Sequence, residues 1–403
     1  MTYDVAALRH RFPSLDSGIA HFDGPGGTQT PAEVGRAVAD TLTGPLSNKG
    51  SGIASERHAL DAMAAFRQAI ADLVGAEPQG VVHGRSATSL AYDFAAHLSR
   101  DWGPADEVVL TRLDHDSNIR PWLQAARRSG STVRWIDLDP DTGELDLESA
   151  RQAIGERTVL VAVTGASNLL GTVPPVRAVA DLAHAHGALV WVDAVHLAAH
   201  VLVDRAALGA DVVVCSPYKF LGPHCAALAA DPALLAAIVP DRLVPQTDAV
   251  PDRFERGTLP YELLAGVSAA VDFLAGIAPG RETGRRERLA RSYAAIAAHE
   301  HALLDRLESG LQGFGDRVVS WSKARERTPT VCVTLPGRDV RDVYRRLAAD
   351  HRVLAPAGDF YAWEAVGRLG LPDRVGLRMG IAPYTDERDV DRLLTGLADI
   401  LRS

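Results

Sequence analysis

Between about residues 84 and 230 the chain alternates short apolar runs, rich in valine, with longer stretches whose apolar residues recur every three or four positions. The runs at 107–111, 132–137, 159–164, 188–193, 211–215 and 225–229 predict strands. The stretches at 119–128, 147–154 and 176–186 predict amphipathic helices between them. Strands and helices in this alternation form βαβ units, which predicts an α/β fold with a mostly parallel central sheet and helices on both faces. Parallel strands deliver their carboxyl ends to one edge of the sheet, where open α/β folds bind ligands.

The pattern changes after residue 260. From 261 to about 310 alanine, leucine, glutamate and arginine dominate, which predicts helix, broken near 277–280. Strands are then expected at 317–321, 330–335 and 376–381, with helices at 340–350 and 386–401. This is an α+β pattern. The expected organisation is an N-terminal segment (1–20) packing on the small domain, a large domain (21–260), an interdomain helical segment (261–311) and a small C-terminal domain (312–403).

Composition narrows the partners. The 403 residues are 47% hydrophobic and 23% charged, as in ordinary globular proteins. A formal net charge of −9 disfavours nucleic acid or an anionic membrane surface as partner, since both call for clustered positive charge. The three cysteines, Cys215, Cys225 and Cys332, show no paired metal or disulfide spacing, which fits a reducing compartment. The N-terminus, MTYDVAALRHRFPSLDS, lacks the apolar core of a signal peptide, and no apolar run approaches the ~20 residues of a membrane span. A cytoplasmic protein is expected.

The chemistry concentrates at strand ends. VWVDAVH (190–196) closes a strand on Asp193, with His196 three residues on. DVVVCSPYKFLGPH (211–224) closes the next on Ser216, Pro217, Tyr218 and Lys219 before a Gly222-Pro223 turn. A lysine and a carboxylate at neighbouring strand ends can both touch one flat ring. That is the need of a pyridoxal-phosphate (PLP) site: an amine for the aldehyde, a carboxylate for the pyridine nitrogen, donors for the phosphate and a ring to stack on. Phosphate donors are offered by Ser86, Ala87 and Thr88 in a turn entering a helix, whose free amides suit an anion. Asn168 follows a third strand and is a candidate donor to the cofactor's phenolic oxygen. His115 stands in LDHDSNIRPW after a fourth. In an extended chain successive side chains alternate, so His115 points away from its flanking Asp114 and Asp116, which is poor geometry for a shared metal; no metal is expected.

These motifs, in order from HFDGPGGTQTP (21–31) to LRMGIAPYTDERDVDRLL (377–394), resemble the class V aminotransferases, the fold-type-I PLP enzymes that include the cysteine desulfurases. The resemblance implies that His115 stacks on the cofactor, Asp193 pairs with its pyridine nitrogen, His196 lies near its phenolic oxygen, and Asn168 contacts the substrate or the phenolic oxygen. It implies that Lys219 holds it as a Schiff base and that Ser86, Thr88 and Ser216 hold its phosphate. It further implies a homodimer in which Thr258, in Arg256-Gly257-Thr258, reaches the partner's phosphate, and an Arg378 that clamps the α-carboxylate of an amino-acid substrate.

One departure sets the expected reaction. Desulfurases of this group carry a nucleophilic cysteine on a loop ahead of the carboxylate-binding arginine. Here that loop reads LAPAGDFYAW (354–363), without cysteine. A Cβ–S lyase working by β-elimination without a persulfide is therefore expected. Transamination, epimerisation and decarboxylation-linked deamination are the alternatives, and a non-catalytic PLP-fold partner protein is the alternative of another class. Phe360, Tyr361 and Trp363 of the same loop have two readings, as substrate-pocket aromatics or as a small satellite core.

Overall fold

A computed structural model describes residues 3–402, so the first two positions of the N-terminal segment and Ser403 lie outside the described residues. The central sheet has seven strands: β2 (Val81–Gly84), β3 (Glu107–Thr111), β4 (Thr132–Ile136), β5 (Thr158–Thr164), β6 (Leu189–Asp193), β7 (Val212–Cys215) and β8 (Ala226–Ala230). They lie in the order β2-β8-β7-β6-β5-β3-β4. Only β8 runs against its neighbours, pairing antiparallel with both β2 and β7. The α/β, mostly parallel architecture expected from the strand–helix alternation is present.

Period-two alternation explains why helices cover both faces. Val161 and Val163 of β5, Val190 and Val192 of β6, and Val213 and Cys215 of β7 enter one core. Their neighbours Leu160, Ala162, Trp191, Val212 and Val214 enter the other. A strand buried on both faces must be apolar throughout, so these segments read as continuous valine-rich runs. The first core is closed by the helices Ala54–Val74, Val176–Ala185 and Tyr261–Ala275, the second by Ala87–Leu98 and Arg120–Ser129.

A second sheet holds β9 (Val319–Ser320), β10 (Thr330–Thr334), β12 (Ala357–Gly358) and β13 (Gly376–Gly380), in the order β12-β13-β10-β9 and antiparallel throughout. With the helices Val340–His351 and Glu387–Arg402 it surrounds a third core. The helix Arg285–Gln312 feeds two cores, giving Leu289, Tyr293 and Ile296 to the first and Leu303, Leu304 and Leu307 to the third. A short parallel pair, β1 (Ala20–His21) with β11 (Val353–Leu354), leads the chain into the loop 23–28 beneath the central sheet's ligand edge. Among the described residues, no helix is long and apolar enough to cross a membrane.

Candidate active site

Four parallel strands and β2 all end at the same edge, and their loops enclose one cavity. β7 ends in a single turn, Pro217–Lys219, that drives Lys219 inward. Its Nζ donates to the carbonyl of Pro25, and the Tyr218 ring lies 5.5 Å from the ammonium. Burial, reinforced by the charge of Arg378, lowers the Lys219 amine to about 8, although Asp193 and Asp23 pull the other way. Asp193, the last residue of β6, faces the same cavity. Burial pushes its carboxyl up to about 6, against the Val195 N–H that donates to Oδ1 at 2.9 Å and the charge of Lys219.

His115 follows β3 as the cap of a short turn; its Nδ1 accepts the Ser117 N–H at 3.1 Å. That bond assigns the proton of the neutral ring to Nε2. Burial, then the cations Lys219 and Arg378, lower this histidine to about 4, so the ring is neutral near pH 7. Ser86 caps the helix Ala87–Leu98, its Oγ accepting the Ser89 N–H at 3.1 Å. Ser86, Ala87 and Thr88 line the cavity from the start of that helix, where first-turn amides have no intrahelical acceptor. Ser216 lines it from the end of β7.

Asn168 and His196 complete the wall. Asn168 donates through Nδ2 to the Phe360 carbonyl at 2.9 Å, which leaves its buried Oδ1 without a partner. The Nε2 of His196 lies 2.9 Å from the Thr328 hydroxyl and 3.1 Å from that of Thr330, while its Nδ1 is buried and unpartnered. Burial, with His200 next, lowers the basicity of His196 well below that of an ordinary histidine. A buried polar atom left unpaired costs about 1–3 kcal/mol. Two such atoms, a carboxyl, an amine, a neutral ring and a helix start facing one space suit a flat polar heterocycle that carries a phosphate. The residues fit PLP.

Two of the expected residues lie off the cavity wall. Arg378, on β13, is buried behind Asn168. One Nη donates to Asp23 at 2.5 Å and the other to the Asn168 carbonyl at 3.1 Å, and the guanidinium lies 3.8 Å from the Phe360 ring centre. Its Nε is buried with no partner. Thr258 is exposed and donates to Asn48 Oδ1 at 3.3 Å, away from its own chain's cavity. The Asp114 carboxyl turns away from its neighbours to Thr111 and to Asn118 at 2.6 Å, and burial raises it to about 8. Among the described residues no group of three or more His, Cys, Asp or Glu is placed to hold a metal ion.

The family model for aminotransferase class V matches residues 20–393. The chain belongs to that family. It is a PLP-dependent enzyme with the fold-type-I architecture. An uncharacterised protein of Mycobacterium tuberculosis is 34% identical over 99% of this chain and all of its own length. A probable cysteine desulfurase of Pseudomonas aeruginosa is 30% identical over 96% of each chain. A solved cysteine desulfurase of Escherichia coli, 22% identical, superposes on all of this chain and 99% of its own with a TM-score of 0.87.

The enzyme also brings to the site two residues that sequence reasoning did not single out, Asp23 and Pro25, and one whose two readings were left open, Tyr361. Asp23 and Pro25 of the HFDGPGG turn hold Arg378 and Lys219, and Tyr361 lies against His115, with ring centres 5.4 Å apart. The turn motif itself was the signal for Asp23 and Pro25.

Proposed function

We propose that the enzyme cleaves the Cβ–S bond of an amino-acid substrate by β-elimination, without a persulfide. The observation that carries this reading is the contrast between one available amine and three unavailable thiols. Lys219, lowered to about 8, exists partly as the free base near neutrality and serves as the acid and base at Cα. Cys215, Cys225 and Cys332 are buried, line no part of the cavity, and have thiols that burial pushes up, to about 12 for the last two. A thiolate nucleophile is therefore lacking.

PLP, when bound, supplies the electron sink that weakens bonds at Cα. Lys219 would hold its aldehyde, and Asp193 would keep its ring nitrogen protonated. His115 would lie against its face, His196 and Asn168 near its phenolic oxygen, and Ser86, Ala87, Thr88 and Ser216 on its phosphate. Arg378 would offer its unpartnered Nε edge to the substrate α-carboxylate. Thr258, exposed and outside its own cavity, would reach a second copy's phosphate in a homodimer. The separate core around the C-terminal sheet supports a smaller domain over 312–403 beside a cofactor-binding domain over 21–260, linked by 261–311, with Val366 and Tyr384 of the smaller domain packing into the first core. Arg9, bonded to Asp389 at 2.6 Å, supports packing of the N-terminal segment on the smaller domain.

The test is a product assay. Purified enzyme with S-substituted cysteines should release pyruvate, ammonia and the thiol, and replacing all three cysteines should leave most of that turnover. A persulfide on Cys225, with activity lost in Cys225→Ala alone, overturns the reading.

A further inference from the structure

The loop at 359–363 crosses the rim of the site with a strained backbone. Phe360 and Tyr361 both adopt the left-handed region, with φ of +53° and +57°. Side chains bearing a Cβ are crowded there, and such residues persist only where their surroundings over-determine them. The surroundings do so. The Asp116 N–H donates to the Tyr361 carbonyl at 2.7 Å, and Asn168 Nδ2 to the Phe360 carbonyl at 2.9 Å. Asp359 receives the Tyr361 N–H on its carboxylate at 3.0 Å and the Ala362 N–H on its carbonyl at 2.9 Å. Beyond the loop, an Arg112–Glu364 pair at 2.7 Å and the Arg374 guanidinium 3.7 Å from the Trp363 ring centre brace the helix that follows.

The two consecutive carbonyls are held by Asn168 and Asp116, so the two rings stand on a rigid support, one against Arg378 and one beside His115. The Phe360 ring is covered by the guanidinium of Arg378. The Tyr361 ring lies beside His115 at an angle of 31°, yet the residue is 71% exposed. A satellite-core role would bury this ring, and most of it is open to solvent next to the histidine of the cavity wall.

We propose that Tyr361 is a specificity-determining residue that receives the side arm of the substrate, and that this arm ends in an aromatic or other flat apolar group. The inference rests on the amino-acid reading above. A flat arm stacked on a fixed ring gains contact at little ordering cost, since the loop is already held.

The experiment titrates the purified holoenzyme with S-methyl-, S-benzyl- and S-(2-aminoethyl)-L-cysteine. The change in its visible absorption gives an apparent Kd for each, and pyruvate is assayed in parallel. S-benzyl-L-cysteine should bind about tenfold more tightly than S-methyl-L-cysteine. Tyr361→Phe should keep that preference. Tyr361→Asn, which tolerates positive φ but lacks the ring, should bring the two within about twofold, with the resting spectrum unchanged. Equal binding in the parent enzyme, a preference for the aminoethyl compound, or a benzyl preference that survives Tyr361→Asn each overturns the proposal. Silence with all three compounds overturns it together with the amino-acid reading. Tight, ring-dependent binding without pyruvate sinks only C–S cleavage and leaves the role of Tyr361 standing.

Discussion

A lysine amine in water keeps its proton to about pH 10.4. Lys219 gives its proton up near 8, because burial and Arg378 together outweigh the two nearby carboxylates. The sign is definite: the neutral amine is the reactive form, and its fraction grows as pH rises. Covalent capture of PLP by the apoenzyme should therefore accelerate with pH and level off just above 8; stopped-flow absorption measures it. A rate still climbing at pH 10 would show that Lys219 is an ordinary lysine. Arg378 carries a second prediction at this scale. With its Nη groups engaged by Asp23 and the Asn168 carbonyl, its open Nε is where a carboxylate can bind. Arg378→Ala should cost about 2–4 kcal/mol of substrate interaction, roughly thirtyfold to a thousandfold in kcat/KM. Arg378→Lys should recover only part of this, since an ammonium restores the charge and not the fork. Both variants should still hold the cofactor, read as visible absorption retained after dialysis. A wild-type preference for the decarboxylated amine over the amino acid would return Arg378 to a purely structural ion pair.

At the scale of elements, the helix Arg285–Gln312 is tied to the segment after Asp193 by buried hydrogen bonds, the Tyr293 hydroxyl donating to the Ala198 carbonyl at 2.6 Å and Glu300 meeting His200. Glu300 lies 2.9 Å from His200 Nδ1, four positions beyond His196 on the short helix that leaves the site. Glu300→Ala leaves the imidazole unpaired in the core and should destabilise the fold by about 2 kcal/mol; Glu300→Gln, which keeps an acceptor, should cost less. Urea unfolding compares the two, and equal losses would mean that the hydrogen bond contributes nothing. Elements whose pattern is local were legible beforehand. The valine runs of β5, β6 and β7 announce themselves because burial on both faces demands them. Asp193 and Lys219 stand out because each closes such a run. β2 was not legible: four residues, VVHG, running into a glycine turn carry too little periodicity. β8 was expected as a strand at 225–229, although four alanines and a leucine favour helix by composition; the flanking cores and its two partners hold it extended. The contacts of Pro25 with Lys219 and of Asp23 with Arg378 span 194 and 355 positions, and no local spacing encodes them.

For the whole molecule the contact that matters is the one Thr258 makes. His115, Asp193, Lys219 and the helix start at Ser86 all come from one chain, but Thr258 does not reach them. It is exposed, and its hydroxyl rests on Asn48 of a neighbouring loop. Exposed apolar side chains stand in the segment just before it: Val239, Leu243 and Val244, the last 98% exposed. A two-fold pair is the commonest closed assembly of soluble chains, and its interface would give those residues a place to bury. If Thr258 completes the partner's phosphate site, Thr258→Ala should lower PLP retention about tenfold, the worth of roughly one hydrogen bond to a charged group, with little effect on thermal unfolding of the apoenzyme. Dialysis against buffer, followed by the residual visible absorption, reads the retention. Charge on the apolar segment offers an independent handle. Val244→Asp should shift the sedimentation equilibrium toward monomer and weaken PLP retention in step with it, because separated chains lose both contributed threonines. A monomer that keeps full activity and holds PLP as tightly as the parent enzyme would show that each chain builds its site alone.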